Sequence, residues 1–272
     1  MTLLIFGLLA VALVAIAVPL VMSNQFVAKI EAWRKILIAA QTSAPPDQDT
    51  IPEIMRAFAL RNGATLGGPA TVLAHQSVEM KTGQDQPFIP VAATQLFGTR
   101  DPGFVWETTA IMARVVPVRV VDAQAGGKGW LEVRIGGAIP MANATGPDSD
   151  KGEMIRFLSE LAWNPDAILN AAALKWRQID ERTVEVSIET AGGIAAVRHL
   201  FDANGDIVGI EADDRPYLVD GKTVPVRWVG RFRDYANFGP YRLPTRGEVA
   251  WELPEGEFVY FRGAITSFTA IE

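Results

Sequence analysis

Trp130-Leu131-Glu132-Val133-Arg134-Ile135 alternates in strict period two, with Leu131, Val133 and Ile135 on one side and Trp130, Glu132 and Arg134 on the other. That period belongs to a β-strand, whose successive side chains point to opposite faces. The pattern returns downstream. Val184, Val186 and Ile188 alternate with Glu185, Ser187 and Glu189, and Val224, Val226, Trp228 and Phe232 with Arg227, Arg231 and Arg233. Val249, Trp251 and Leu253 alternate with Glu248 and Glu252. Less regular strand candidates lie near 72–81, 88–97, 104–116, 117–124, 194–201, 207–212 and 257–268. Asn204-Gly205 and Asp220-Gly221 fall between such runs and read as hairpin turns. Strands with one face on a core and one toward water predict a single, strongly curved antiparallel sheet of about eight to eleven strands.

One helix interrupts the β pattern. Ser149 or Asp150 can cap a segment running from Lys151 to Trp163, with Met154, Ile155, Leu158 and Leu161 as its apolar stripe and Asn164-Pro165 as its stop. Glu153, Arg156, Glu160 and Trp163 share the other face. They read either as a solvated, salt-bridged surface or as a polar cluster pressed against the sheet to hold a ligand headgroup. A second helix starts at Thr50-Ile51-Pro52-Glu53, a capping-box pattern, and stops at Gly63.

The N-terminus carries a different signal. Leu3 to Met22 is a run of 20 residues without a charge, and a helix of that length spans about 30 Å, the thickness of bilayer hydrocarbon. Ala15-Ile16-Ala17 has the small-x-small form of a signal-peptide cleavage site. No Lys or Arg precedes the run, however, and it continues through Val18, Leu20, Val21 and Met22. The expectation is an uncleaved single-pass membrane anchor. Phe26, Ile30, Trp33 and Leu37 then mark one face of a helix that suits either the headgroup zone, with Lys29, Arg34 and Lys35, or packing on the body. Gln41 to Asp49, with adjacent prolines, reads as a linker or extended turn. The organisation expected is an anchor and juxtamembrane helix over 1–40, a linker over 41–50 and a mainly β domain over 51–272.

Composition narrows the chemistry. The chain of 272 residues is 49% hydrophobic and 21% charged, which excludes wholesale disorder. Its net charge is −6, and residues 1–50 are balanced, so the body carries all of it. An acidic body lacks the basic surface that a nucleic-acid partner requires. There is no cysteine, hence no disulfide, thiolate metal site or cysteine nucleophile. His75 and His199 cannot make a three-histidine metal centre, and each reads as a sheet histidine. Gly126-Gly127-Lys128-Gly129 lacks the spacing of a phosphate loop, and Asp202-Ala203-Asn204-Gly205-Asp206 has its glycine too early for a calcium loop; both read as hairpins. No catalytic residue, cofactor or metal is expected.

Several phrases resemble an uncharacterised bacterial family of membrane-anchored proteins. They are Asp101-Pro102-Gly103-Phe104-Val105-Trp106, Asp122 through Leu131, and Gly152-Glu153-Met154-Ile155-Arg156-Phe157-Leu158-Ser159-Glu160-Leu161-Ala162-Trp163-Asn164-Pro165. Leu174-Lys175-Trp176, Tyr241-Arg242-Leu243-Pro244 and Glu248-Val249-Ala250-Trp251 complete them. The resemblance covers roughly residues 51–268 and implies no activity. The architecture is loosely similar to the curved half-barrels of lipoprotein carriers, which wrap a sheet around an apolar cavity under a helical lid. The basic residues after the apolar run favour a cytoplasmic body, and the carrier analogy an outer one; both orientations stay open. The fold expected is α+β, mainly β: a curved, half-barrel-like sheet with a covering helix.

The function expected is binding of a lipid or other apolar ligand, with Arg156, Glu160, Trp163, Trp106, Trp130 and Trp228 as binding residues. The tryptophans could equally be core. An assembly subunit of a membrane complex is the alternative, and carboxylate-based catalysis is a third possibility, since it needs neither Cys nor His.

Overall fold

The computed structural model describes residues 2–112, 115–219 and 221–271; for residues 2–14 and 16 it describes the backbone only. Among the described residues four α-helices, α1 (Thr2–Ala40), α2 (Glu53–Arg61), α3 (Pro147–Ser159) and α4 (Pro165–Asn170), accompany thirteen strands. Six strands precede α3: β1 (Thr71–Met80), β2 (Ile89–Gly98), β3 (Phe104–Met112), β4 (Val116–Ala125), β5 (Lys128–Ile135) and β6 (Ile139–Thr145). Seven follow α4: β7 (Lys175–Asp180), β8 (Thr183–Thr190), β9 (Gly193–Phe201), β10 (Ile207–Val219), β11 (Lys222–Phe238), β12 (Tyr241–Leu253) and β13 (Gly256–Ile271).

All thirteen form one antiparallel sheet in the order β6-β5-β4-β3-β2-β1-β13-β12-β11-β10-β9-β8-β7. Each half is a meander of neighbours, and the pairing of β1 with β13 joins the halves. The two strands that periodicity did not anticipate are β6 and β7, the two edges. Their side chains are almost all exposed, so no apolar alternation marks them. The hairpins fall where the glycines are: Gly126 and Gly127, both at positive φ, turn β4 into β5, and Gly205 (φ 77°) sits in the β9–β10 turn. Asp202 accepts the backbone N–H groups of Asn204 and Asp206 there, so the calcium-like phrase is an Asx turn.

The sheet curls. α3 touches β4, β5 and β6 on one side and β8, β9 and β10 on the other. β5 and β9 stand nine places apart in the strand order. On a flat sheet that is about 43 Å, at about 4.8 Å per strand, whereas a helix is about 10–12 Å across. Only a sheet wrapped around the helix brings both sets of strands to it. The main core lies inside this wrap and combines Met154, Ile155, Leu158 and Leu161 with Val184, Val186, Ala195, Val197 and Ile210.

α3 begins one turn earlier than its sequence suggested. Gly146 (φ 98°) precedes it and Pro147 occupies the first turn, where its missing N–H is harmless. Asp150 lies inside the helix, where it accepts from the Gly129 N–H at 2.8 Å and from Lys128 at 3.1 Å, tying α3 to the β4–β5 hairpin. A short 3-10 turn, Glu160–Ala162, extends it to Trp163. α2 also departs from expectation: Pro52 precedes it without a side-chain cap, and Thr50 belongs to a 3-10 turn.

The single-pass anchor over Leu3 to Met22 is not upheld. Among the described residues no helix is long and apolar enough to cross a membrane, and the side chains of residues 2–14 and 16 lie outside the description. From Phe26 onward the helix is committed to the sheet instead. Phe26, Ile30 and Leu37 are buried against Leu96, Val105, Val121, Ala123 and Trp130 on the outer face of β2–β5. The basic residues expected among lipid headgroups meet sheet carboxylates: Lys29 bonds Glu132 at 2.6 Å and Arg34 bonds Glu107. Residues 41–50 are pinned as well. Gln41 accepts the N–H groups of Arg100 and Asp101, and Gln48 donates to the Leu169 carbonyl.

Candidate functional site

Strand register determines which side chains look inward. Gln95, Trp106, Asp122 and Leu131 stand directly opposite one another across β2, β3, β4 and β5, so they share one face of the sheet, the face toward α3. The next row, Leu96, Val105, Ala123 and Trp130, is likewise in register and points outward beneath α1. Trp130 is therefore not in the site expected for it. It stacks on Trp33 at 5.2 Å, meets Phe26 edge-on and donates to Glu132 at 3.0 Å. The outward positions of β5 that were read as facing water are covered by α1.

The polar face of α3 meets the inward row. Arg156 donates to Asp122, to Glu160 at 3.1 Å and to Gln95 at 3.5 Å. Its guanidinium lies 4.6 Å from the Phe104 ring centroid and 5.4 Å from that of Trp106. Gln95 donates in turn to Glu160, Gln76 donates to Gln95 at 3.1 Å, and the Trp106 indole donates to Gln76 at 2.9 Å. Only 12% of the Arg156 side chain and 9% of that of Glu160 is exposed. The solvated-face alternative is excluded by this burial. Burial works against the guanidinium charge, but the carboxylates of Glu160 and Asp122 outweigh it and raise the Arg156 pKa. Burial also raises the pKa of Glu160, against the pull of Arg156 and Gln95.

Glu153 completes this cluster. Burial, then the charge of Asp122, pushes its pKa well above the usual carboxylate range, against the opposing charges of Arg215 and Arg156. Glu153 Oε2 and Asp122 Oδ1 are buried and receive no donor among the described residues.

A second cluster stands on the other half of the sheet. Trp228 and Trp251 face each other across β11 and β12. The Arg215 guanidinium lies 4.3 Å from the first ring and 5.4 Å from the second. The Tyr260 hydroxyl accepts from Arg215 at 3.0 Å and from Trp228 at 3.1 Å. Trp163 is fixed by its indole N–H on the Pro244 carbonyl at 2.8 Å and by an edge-on contact with Phe232. Gly247 lies under its ring: a Cβ there would come within 2.7 Å of the indole.

Between the clusters is a cavity of about 270 Å³. Trp106, Trp163, Trp228, Arg156 and Glu160 all line it, so five of the six residues singled out from sequence converge on one space. Met80, Val120, Leu131, Val249, Trp251 and Phe261 supply more of its wall, and Asp122, Glu153, Arg215 and Tyr260 its polar points. Asp122, Gln95, Gln76, Arg215 and Tyr260 were not anticipated as site residues. Asp122 had a readable signal, a lone acid in the stretch Val118 to Ala123, which is apolar apart from it and Arg119; the others depend on register between distant strands. Among the described residues no group of three acids or histidines could hold a metal ion. His199 is fully buried, and burial pulls its pKa down to about 3, so it stays neutral at ordinary pH.

Residues 41–263 match a family described as a family of unknown function (DUF6544). The chain belongs to that family. No curated protein matches it. Among solved structures it is similar to a LolA superfamily protein from Nitrosomonas europaea, at 11% identity and a TM-score of 0.45, over 82% of this chain and 94% of that one. It is also similar to a putative outer membrane lipoprotein-sorting protein domain from Vibrio parahaemolyticus, at 13% identity and a TM-score of 0.46, over 83% and 95%. A DUF1329 family protein from Desulfovibrio piger matches at 8% identity and a TM-score of 0.42, over 79% and 91%. The resemblance read from the sequence, an uncharacterised family with a loose likeness to lipoprotein-carrier half-barrels, agrees with these matches.

Proposed function

We propose that this chain binds a lipid or other apolar ligand in the cavity between α3 and the inner face of its sheet. The observation that carries this reading is the cavity itself: about 270 Å³, walled by aromatic and aliphatic side chains with a few convergent polar groups. Small-molecule sites are built in this way. On this reading Trp106, Trp163 and Trp228 supply apolar contact, and Arg156 with Glu160 forms a fixed polar border. The test is titration of the full chain with an environment-sensitive naphthalene dye, together with native mass spectrometry of the purified protein. Saturable binding of one dye per chain, competed by a fatty acid, is expected. Absence of both saturable binding and any co-purified amphiphile would overturn the reading.

A second reading is favoured by the Asp122–Glu153 pair. Two buried carboxyl groups beside a cavity, with the pKa of Glu153 raised by burial and by the charge of Asp122, are equipped for general acid–base chemistry. Hydrolysis of an ester probe that disappears in Glu153→Gln, while dye binding persists, would favour it.

A further inference from the structure

The two buried guanidinium groups at this cavity are not equivalent. Arg156 is neutralised by Asp122 and Glu160. Arg215 is as deeply placed, 8% exposed, yet among the described residues no carboxylate lies within salt-bridge distance of it. Among the described residues its guanidinium makes one hydrogen bond, to the hydroxyl of Tyr260. The ring faces of Trp228 and Trp251 offset part of its desolvation. Its Nε and its second Nη make no hydrogen bond with described residues, and neither is sealed within the protein; the residue lines the cavity. Glu153 also lines the cavity, and it too makes no salt bridge to Arg215. A guanidinium taken from water without an anion is costly, and its planar fork matches a carboxylate or a phosphate.

We propose that the ligand of this cavity carries an anionic head group, a carboxylate or a phosphate, held by Arg215 and seated between Trp228, Trp251 and Tyr260. This rests on the apolar-ligand reading above and adds the charge and size of the ligand. The volume sets the tail. At about 30 Å³ per water-sized group, 270 Å³ accommodates about nine such groups, the bulk of one chain of about ten carbons.

The test titrates the full chain with four probes of equal chain length: decanoate, decyl phosphate, decanol and decyltrimethylammonium. Tryptophan fluorescence reports binding because Trp228 and Trp251 flank the head-group position. The expected result is that at least one of the two anions binds wild type about tenfold or more tighter than decanol, about 1.4 kcal/mol, with the cation weakest. The tighter of the anions identifies the head as carboxylate or phosphate. Arg215→Met should bring the anion-to-decanol ratio near one while decanol affinity holds, and Arg215→Lys should keep the preference. Decanol binding wild type as tightly as both anions would overturn the proposal, as would an undiminished preference in Arg215→Met. If Arg215→Met does not fold, the wild-type ratio and that of Arg215→Lys decide. Binding of none of the four probes would overturn the apolar-ligand reading itself, which separates the two failures.

Discussion

Arg156→Ala tests whether the α3 cluster is a buried network. The side chain removed bonds two carboxylates and a glutamine amide and covers the faces of Phe104 and Trp106. Its loss strands Asp122 and Glu160 beside Glu153, with no other cation among the described residues bonded to either. Breaking a buried pair by removing one partner costs about 3–5 kcal/mol. With a urea m-value of about 3 kcal/mol/M, the midpoint should fall by about 1 M or more. The loss should also depend on pH. Without Arg156 the buried carboxyls hold protons more tightly in the folded variant than in its unfolded chain. The folded variant then binds more protons above the usual carboxylate range, and its stability rises as pH falls through that window. The gap to wild type should be largest near about pH 7.5 and should narrow toward about pH 5. Neutralising the stranded acids, in Arg156→Ala with Glu160→Gln and Asp122→Asn, should recover part of the loss. Urea unfolding followed by tryptophan fluorescence at both pH values measures all of this. A loss below about 1 kcal/mol, equal at the two pH values, would refute the reasoning and return Arg156 to the class of surface ion pairs.

Two further substitutions probe the two faces of the sheet. Trp130→Ala should cost about 3–5 kcal/mol, as large aromatic truncations in cores do, yet leave decanoate affinity unchanged, because Trp130 packs under α1. A folded Trp130→Ala protein with affinity shifted tenfold would mean that the outer face communicates with the cavity. His199 should make the protein acid-labile. Its folded pKa is pushed down to about 3 by burial, so the unfolded chain binds a proton that the folded chain refuses. The stability this represents is fully present above the unfolded value of about 6.5, is lost progressively as pH falls toward 3, and amounts to about 5 kcal/mol at most. The raised pKa of Glu153 acts with the opposite sign, lowering stability as pH rises through its folded value. His199→Leu should therefore flatten the acid limb of a stability–pH profile between about pH 6.5 and 4.5 by one proton; an unchanged slope would show that His199 protonates without unfolding.

What could be read from sequence was whatever repeats along the chain. Period two marked the inner strands because half of their residues enter the core, as in Val184 and Val186. It was silent on β6 and β7, which bury almost nothing. The α3 stripe of Met154, Leu158 and Leu161 was readable for the same reason, and so was the helix face that carries Arg156, Glu160 and Trp163. What could not be read was pairing between strands distant in sequence. Trp130 and Trp106 look alike along the chain, each an aromatic in a strand, and Trp130 stands opposite Ala123 while Trp106 stands opposite Asp122. One step along β4 sends one indole under α1 and the other into the cavity. Arg215 shows the same limit, since its companions Trp228, Trp251 and Tyr260 come from three other strands. The apolar run at Leu3 to Met22 shows the converse error. Length and hydropathy measure what a segment could cross, whereas the register of β2–β5 supplies an apolar outer row for Phe26, Ile30 and Leu37 and carboxylates for Lys29 and Arg34. Helix α1 beyond Met22 is amphipathic because it has a sheet to cover, and the side chains that argued for a headgroup zone are the ones that fix it there.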